Sequence, residues 1–269
     1  MRICRVAVDG EPFFAVLEGV DEWGEVAPDA MVALLRGHPF GDFAPDGRVL
    51  PFSDLRLLAP VIPSKVIAVG RNYAEHAAEL GNQLPAEPMI FLKPSTSVIG
   101  PGDAIQLPWQ SEQVDHEAEL AVVISRLCRD VAEEDADSVI LGYTCANDVT
   151  ARDLQKRDGQ WGRAKGFDSF CPLGPWISTD VDLDEAAISC TVNGAIRQQA
   201  VLGDMVHGVA AIIAHISAAM TLLPGDVILT GTPAGVGVIS AGDVVEVTIE
   251  GIGTLTNPVL ERADARMGS

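Results

Sequence analysis

The five cysteines of this 269-residue chain, Cys4, Cys128, Cys145, Cys171 and Cys190, are dispersed, odd in number and form no Cys-x-x-Cys pair. Neither a thiolate zinc site nor a disulfide framework is supported, and a reduced cytoplasmic protein is the expectation. No apolar run reaches the length needed to span a bilayer. The stretch Met1–Gly10 lacks the long apolar core of a secretion signal and reads as a strand ending in a turn. Basic residues are scarce: 18 Lys and Arg stand against 38 Asp and Glu, for a net charge of −20. That balance argues against non-specific binding to nucleic acid or anionic membranes. An anionic substrate would need a locally positive site, which a metal and one or two basic residues could supply. Internal repeats and low-complexity tracts are also missing. The glycine-rich turn Gly231-Thr232-Pro233-Ala234-Gly235-Val236-Gly237 lacks Gly-Lys-Ser/Thr and no helical pattern follows it, which excludes a phosphate-binding nucleotide loop.

What is present is apolar side chain in quantity, 48% of the residues. That suffices for one large domain or two unequal ones. Residues 1–58 read as a small β-rich unit, with strands at Arg2–Val8 and Phe13–Glu18, a brief helical stretch over 32–36 and a Gly/Pro/Asp-rich loop from Gly37 to Pro51. A second unit runs over 61–261, and 262–269 read as a frayed tail. Within it, strands are expected at 66–69, 89–92, 139–147, 188–193 and 227–230, with a terminal hairpin of 244–249 and 254–259. A short helix is expected over 72–80, capped by Asn72 and closed by Gly81. Val206, Val209, Ile213, Ile216 and Met220 fall at spacings of three and four, predicting a helix over 205–220 with a core-facing stripe. The regular structure of 159–175 is not legible. Many short strands and few helices indicate a β-rich α+β fold.

The most informative segment is Asp115-His116-Glu117-Ala118-Glu119-Leu120-Ala121-Val122-Val123-Ile124. Strand alternation sends Glu117 and Glu119 to one side, roughly 6.5–7 Å apart. His116 goes to the opposite face and reads as structural, like His38, His207 and His215. An edge strand would leave both glutamates solvated. A strand buried on both faces would require protonation, pairing or a bound cation. Asp148, at the end of an apolar strand, is the best third carboxylate, although Asn147-Asp148 is also a common turn pair. Such an oxygen-rich set suits a hard cation such as Mg²⁺ or Mn²⁺. His76 and Glu79, three residues apart on a helix, share a face; Glu79 can fix the tautomer of His76, or the two can be an incidental surface pair.

Glu117-x-Glu119, Asp148, Gln155 and Lys165 occur in an order and spacing that resembles the fumarylacetoacetate hydrolase superfamily. So do Gly70-Arg71-Asn72-Tyr73-Ala74-Glu75-His76, Phe91-Leu92-Lys93-Pro94, Gly162-Arg163-Ala164-Lys165-Gly166-Phe167-Asp168 and Leu223-Pro224-Gly225-Asp226 followed by Thr230-Gly231-Thr232-Pro233. Together they cover about 61–259. The small N-terminal unit resembles that of bacterial acylpyruvate hydrolases, hydroxyheptadienedioate isomerases and oxaloacetate decarboxylases.

The resemblance implies a β-roll of mixed sheets, a Mg²⁺ or Mn²⁺ ion, a homodimer, and a 2-oxo acid substrate chelated to the ion through its C1 carboxylate and 2-oxo oxygen. It implies Glu117, Glu119 and Asp148 as metal ligands, and His76, Glu79 and Lys165 as catalytic groups. Arg71, Gln155 and Thr232 would contact substrate. The ion would stabilise an enolate as a Lewis acid, Lys165 would hold an oxyanion, and His76 would act as general base toward water or a C–H. The first expectation is a hydrolase cleaving the C–C bond of a 2,4-dioxo acid of acylpyruvate or fumarylpyruvate type, in the catabolism of aromatic compounds. An oxaloacetate decarboxylase, a 2-hydroxyhepta-2,4-diene-1,7-dioate isomerase and a non-catalytic metal-binding roll are the alternatives. Gly166 stands where many members carry Ser, which removes a hydroxyl beside Lys165.

Overall fold

A computed structural model of the chain describes residues 1–79 and 83–261. Its backbone is a twelve-stranded sheet with a five-stranded sheet against it and a three-stranded sheet at the side. Ten strands of the large sheet lie in one path. They run from Phe43–Pro51 through Val26–Gly37, Glu11–Val20, Arg2–Val8, Cys171–Ser178, Ile140–Asn147, Ala118–Ile124, Val227–Leu229 and Val66–Gly70 to Met89–Lys93. The N-terminal strands thus extend the sheet that carries the candidate site: Ile3 pairs with Ile177. They keep a separate core of Cys4, Val6, Leu17, Val32 and Leu34, closed by Trp176 from the larger part.

The Ala118–Ile124 strand shows why the site is buried. Ala118, Leu120, Val122 and Ile124 face a core shared with Ile188, Val245, Val247 and the Val209–Ala219 helix. Ala121 and Val123 face a second core with Ala68, Val227 and Leu229. Both faces are covered, so this is an interior strand and not a solvated edge.

Several local expectations are corrected. Residues 32–36 belong to the Val26–Gly37 strand, because Val32 and Leu34 alternate into the N-terminal core while their neighbours pair with the adjoining strands. The supposed loop from Gly37 to Pro51 contains the edge strand Phe43–Pro51; its Pro residues are tolerated at an edge. The Asp115–Ile124 strand is broken at Glu117, where the chain passes from the small sheet (Val114–His116) into the large one. The helix expected from 205 begins at Val209, and Val206 is exposed; Val209, Ile213 and Ile216 do form its buried stripe. The short helix spans Ala74–Glu79, with the expected Leu80 and Gly81 lying outside the described residues. Asn72 does not serve it as a cap. Its amide donates to the carbonyls of Thr230 and His207 and accepts from the His207 N–H, tying three loops together. In the stretch 159–175 the structure places a short helix, Gly162–Lys165, and the start of the Cys171–Ser178 strand. The expected tail 262–269 lies outside the described residues. Among the described residues no helix is long and apolar enough to cross a membrane.

Candidate active site

The break at Glu117 opens the floor of the site. Glu117 donates its N–H to the Asn147 side chain at 2.9 Å, and its carbonyl accepts from the Asp148 N–H at 2.8 Å. These bonds lock the end of the Ile140–Asn147 strand against the start of its neighbour, where Glu119 pairs with Ala146. One ligand atom from each of Glu117, Glu119 and Asp148 then lies within 4.8 Å of the others, and all three residues are buried.

Buried cations surround this cluster. Lys165 Nζ donates to Glu117 Oε2 at 2.7 Å and to Asp148 Oδ2 at 2.6 Å. Lys93 Nζ donates to Asp148 Oδ1 at 2.5 Å. Arg152 bridges Glu117 Oε1 at 2.6 Å and Asp115 Oδ2 at 2.8 Å. Arg152, Asp115 and Lys93 were not singled out by sequence reasoning. Lys93 stands in a quoted motif and follows an apolar strand, which is the available signal. Asp115 has a weaker one in the same carboxylate-rich segment, and Arg152 has none beyond its place four residues after Asp148.

The electrostatics separate the two glutamates. Burial alone would raise the Glu117 carboxyl, but the Lys165 and Arg152 charges hold it well below the usual range. For Glu119, burial leads and the negative charges of Asp148 and Glu117 reinforce it, so its carboxyl is raised. The hydrogen bond found for the Glu119 carboxylate comes from the Gly231 N–H at 2.7 Å. Gly231 makes that approach at φ +100°, and a Cβ there would stand 2.7 Å from Cβ of Asn72. Burial lowers Lys165, but Asp148 and Glu117 outweigh it and the ammonium is held charged.

Four buried carboxylates (Asp115, Glu117, Glu119, Asp148) therefore meet three buried cations (Lys93, Arg152, Lys165). The raised Glu119 is where the balance fails. A divalent cation there would satisfy Glu119 and turn the locality positive within a strongly acidic chain. Glu117, Glu119 and Asp148 thus fit as its ligands.

The cluster floors a cavity of about 280 Å³ lined also by Arg71, His76, Phe91, Gln155, Trp161 and Thr232. All nine sequence-derived site residues except Glu79 line it; Glu79 touches the lining through His76. Nδ1 of His76 lies 3.4 Å from Glu79 Oε2, and Glu79 also accepts from the Gly235 N–H at 3.2 Å. Burial lowers His76, against the opposing pull of Glu117 and Glu79, which favours the neutral imidazole. Gln155 Oε1 accepts from Arg152 Nη1 at 2.8 Å, which leaves its amide NH₂ for the cavity. Arg71, at φ +60°, stacks over Trp161 with 5.9 Å between guanidinium carbon and ring centre. Gly166 is explained by space: a Cβ there would lie 2.4 Å from the Gly162 carbonyl oxygen and 2.9 Å from Pro94.

Known proteins share this architecture. Residues 65–260 match the fumarylacetoacetate (FAA) hydrolase C-terminal family, and residues 1–60 match the Rv2993c-like N-terminal family. Protein Rv2993c of Mycobacterium tuberculosis is 53% identical over 97% of this chain and 99% of its own. The oxaloacetate tautomerase fahd2, mitochondrial, of Xenopus laevis is 46% identical over 79% of this chain and 70% of its own. The crystal structure of 2-hydroxyhepta-2,4-diene-1,7-dioate isomerase from Mycobacterium marinum superposes with a TM-score of 0.90. It is 51% identical and covers 98% of this chain and all of that one. The strand-rich fold, the matched families and these relatives agree: the chain is an enzyme of the fumarylacetoacetate hydrolase family.

Proposed function

We propose that this enzyme moves a proton at the carbon beside the carbonyl of a 2-oxo diacid, interconverting enol and keto forms or shifting the adjacent double bond. The observation that carries this reading is an imidazole, His76, and an ammonium fixed by two ion pairs, Lys165, lining one cavity. A divalent cation on Glu117, Glu119 and Asp148, Mg²⁺ or Mn²⁺, would supply Lewis acidity toward the 2-oxo oxygen. Thr232, Arg71 and the Gln155 amide supply donors that orient the carboxylates of the acid. His76 takes the C3 proton, Glu79 holds its ring, and the electron pair moves into the C2–C3 bond. Lys165 faces the oxygen on which negative charge develops. Returning the proton to that oxygen gives the enol; returning it further along a conjugated chain gives the shifted double bond. The names of the fahd2 and M. marinum relatives support this chemistry.

Hydrolysis of a 2,4-dioxo acid of acylpyruvate type is the second reading. One observation favours it: the Glu79 side chain is 36% exposed, so the Glu79 end of the His76–Glu79 pair is open to water. His76 would then take a proton from water instead of carbon. The buried thiols fit a reducing cytoplasm, and a homodimer acting on a small anionic substrate is the assembly we propose.

Metal-free protein given Mg²⁺ or Mn²⁺ separates the readings. One arm follows keto–enol interconversion of oxaloacetate with metal-only controls, and the other follows acetylpyruvate loss. A larger kcat/KM for interconversion supports the proton-transfer reading. A larger value for acetylpyruvate cleavage replaces it with the hydrolase.

A further inference from the structure

Gln198 lies on the Ala195–Val201 strand, at the edge of the five-stranded sheet and far in sequence from every site residue. It is nonetheless buried, between neighbours that are mostly exposed. The strand ladder slips there: Cys190 pairs with Gln198 but Thr191 pairs with Ile196. Gln198 points inward because it pairs with the buried Cys190, as Ala200 pairs with the buried Ile188; the bulge follows at Arg197.

The orientation of the Gln198 amide is fixed from both ends. The Ala118 backbone N–H can only donate, and it meets Oε1 at 3.0 Å. The Pro233 carbonyl can only accept, and it meets Nε2 at 2.8 Å. His116 Nδ1 also lies 3.0 Å from Oε1. The remaining N–H of Gln198 points at Thr232 Oγ1 at 2.7 Å. The Thr232 hydroxyl must therefore accept from Gln198, and among the described residues no group accepts its own proton. Thr232 is buried and lines the active-site cavity.

We infer that Gln198 is a positioning residue, which by donating to Thr232 turns the hydroxyl proton of Thr232 into the cavity as a donor for a substrate carboxylate. This rests on the proposed reading of the site as one for 2-oxo acids. It also links the Ala118 backbone, between Glu117 and Glu119, to the loop 231–235 through one side chain. Gln198 touches no substrate itself. Without it Thr232 is free to turn its proton away, toward the Pro233 carbonyl left unpaired.

The test is a double-mutant cycle on ligand affinity, with oxalate as the probe in saturating Mg²⁺, read by calorimetry beside melting temperatures and steady-state kinetics. Thr232→Val removes the donor and keeps the shape. Gln198→Met removes the amide and keeps the length. Each single variant is expected to weaken oxalate about tenfold, a charged hydrogen bond's worth, and to raise KM more than it lowers kcat. The double variant is expected to bind no worse than Thr232→Val alone. Thr232→Ser, which keeps the hydroxyl, is expected to restore affinity in the Gln198 background only. Losses that multiply, or wild-type affinity in Gln198→Met, overturn the inference and leave the site assignment standing. Should Gln198→Met fail to fold, Gln198→Glu at pH 8 keeps the acceptor facing Ala118 and draws the Thr232 proton inward. The same tenfold loss supports the inference, and wild-type affinity overturns it. Failure of the unmutated protein to bind oxalate overturns both this inference and the 2-oxo acid reading.

Discussion

Lys93, on the outermost strand of the large sheet, reaches Asp148 beyond the end of a central strand, Nζ to Oδ1 at 2.5 Å, and neither side chain is exposed beyond 1%. Lys165 takes the other oxygen of the same carboxylate at 2.6 Å. Asp148 is thereby fixed in rotation by two ammonium groups, with one face left toward Glu119. Removing one partner of such a buried pair strands a charge, which costs about 3 kcal/mol. Lys93→Met is expected to lower the melting temperature of metal-free protein by on the order of 6 °C or more. Saturating Mg²⁺ should recover part of that. A melting temperature within a degree or two of wild type would show that Lys93 does not hold Asp148.

Glu119 sets the pH dependence of the metal-free state. Its folded carboxyl is raised by burial and by Asp148 and Glu117. A raised carboxyl contributes stability below its ordinary value of 4.5, and loses it as pH rises through the folded value. Metal-free wild type should therefore weaken as pH rises above that ordinary value, and Glu119→Gln should be the more stable protein at pH 7–8. Adding Mg²⁺ should stabilise wild type and leave Glu119→Gln unmoved. An equal Mg²⁺-induced shift in both would remove Glu119 from the ligands.

Gly231 brings its N–H to Glu119 from a left-handed backbone conformation. A methyl group at φ +100°, 2.7 Å from Asn72, has nowhere to go. Gly231→Ala is expected to cost about 1–3 kcal/mol and to weaken Mg²⁺ binding together with it. Unchanged melting and metal affinity would refute the constraint.

Gly166 admits no side chain on the present backbone, since its Cβ would meet the Gly162 carbonyl of the turn that carries Lys165. Gly166→Ser is expected to displace Lys165, lowering kcat more than it raises KM. An active Gly166→Ser protein with wild-type kcat would mean that the turn adjusts without moving the ammonium.

The core of the site was legible because its signals are local. Glu117-x-Glu119 in an apolar run and a strand-ending Asp148 stand out locally as carboxylates, and the ordered family motifs, not alternation, joined them into one site. What stayed hidden is nonlocal. Arg152 looks like any helix-start cation until Asp115 and Glu117 fold against it, and Gln198 looks like a solvated strand residue until its strand is paired against the buried Cys190. The misread stretch 32–36 has a short apolar run that suits helix and strand alike, and pairing with the neighbouring strands decided between them. The break at Glu117 depends on the chain changing sheets, which alternation alone does not show.

The most direct measurement follows exchange at C3 of pyruvate in D₂O by proton NMR, with Mg²⁺ or Mn²⁺ and metal-only controls. The expected result is loss of the methyl signal far above the metal-only rate, abolished in His76→Ala and strongly reduced in Lys165→Met. Exchange no faster than metal alone, or a His76→Ala protein that exchanges like wild type, would contradict proton transfer by His76 at the carbon beside the 2-oxo group.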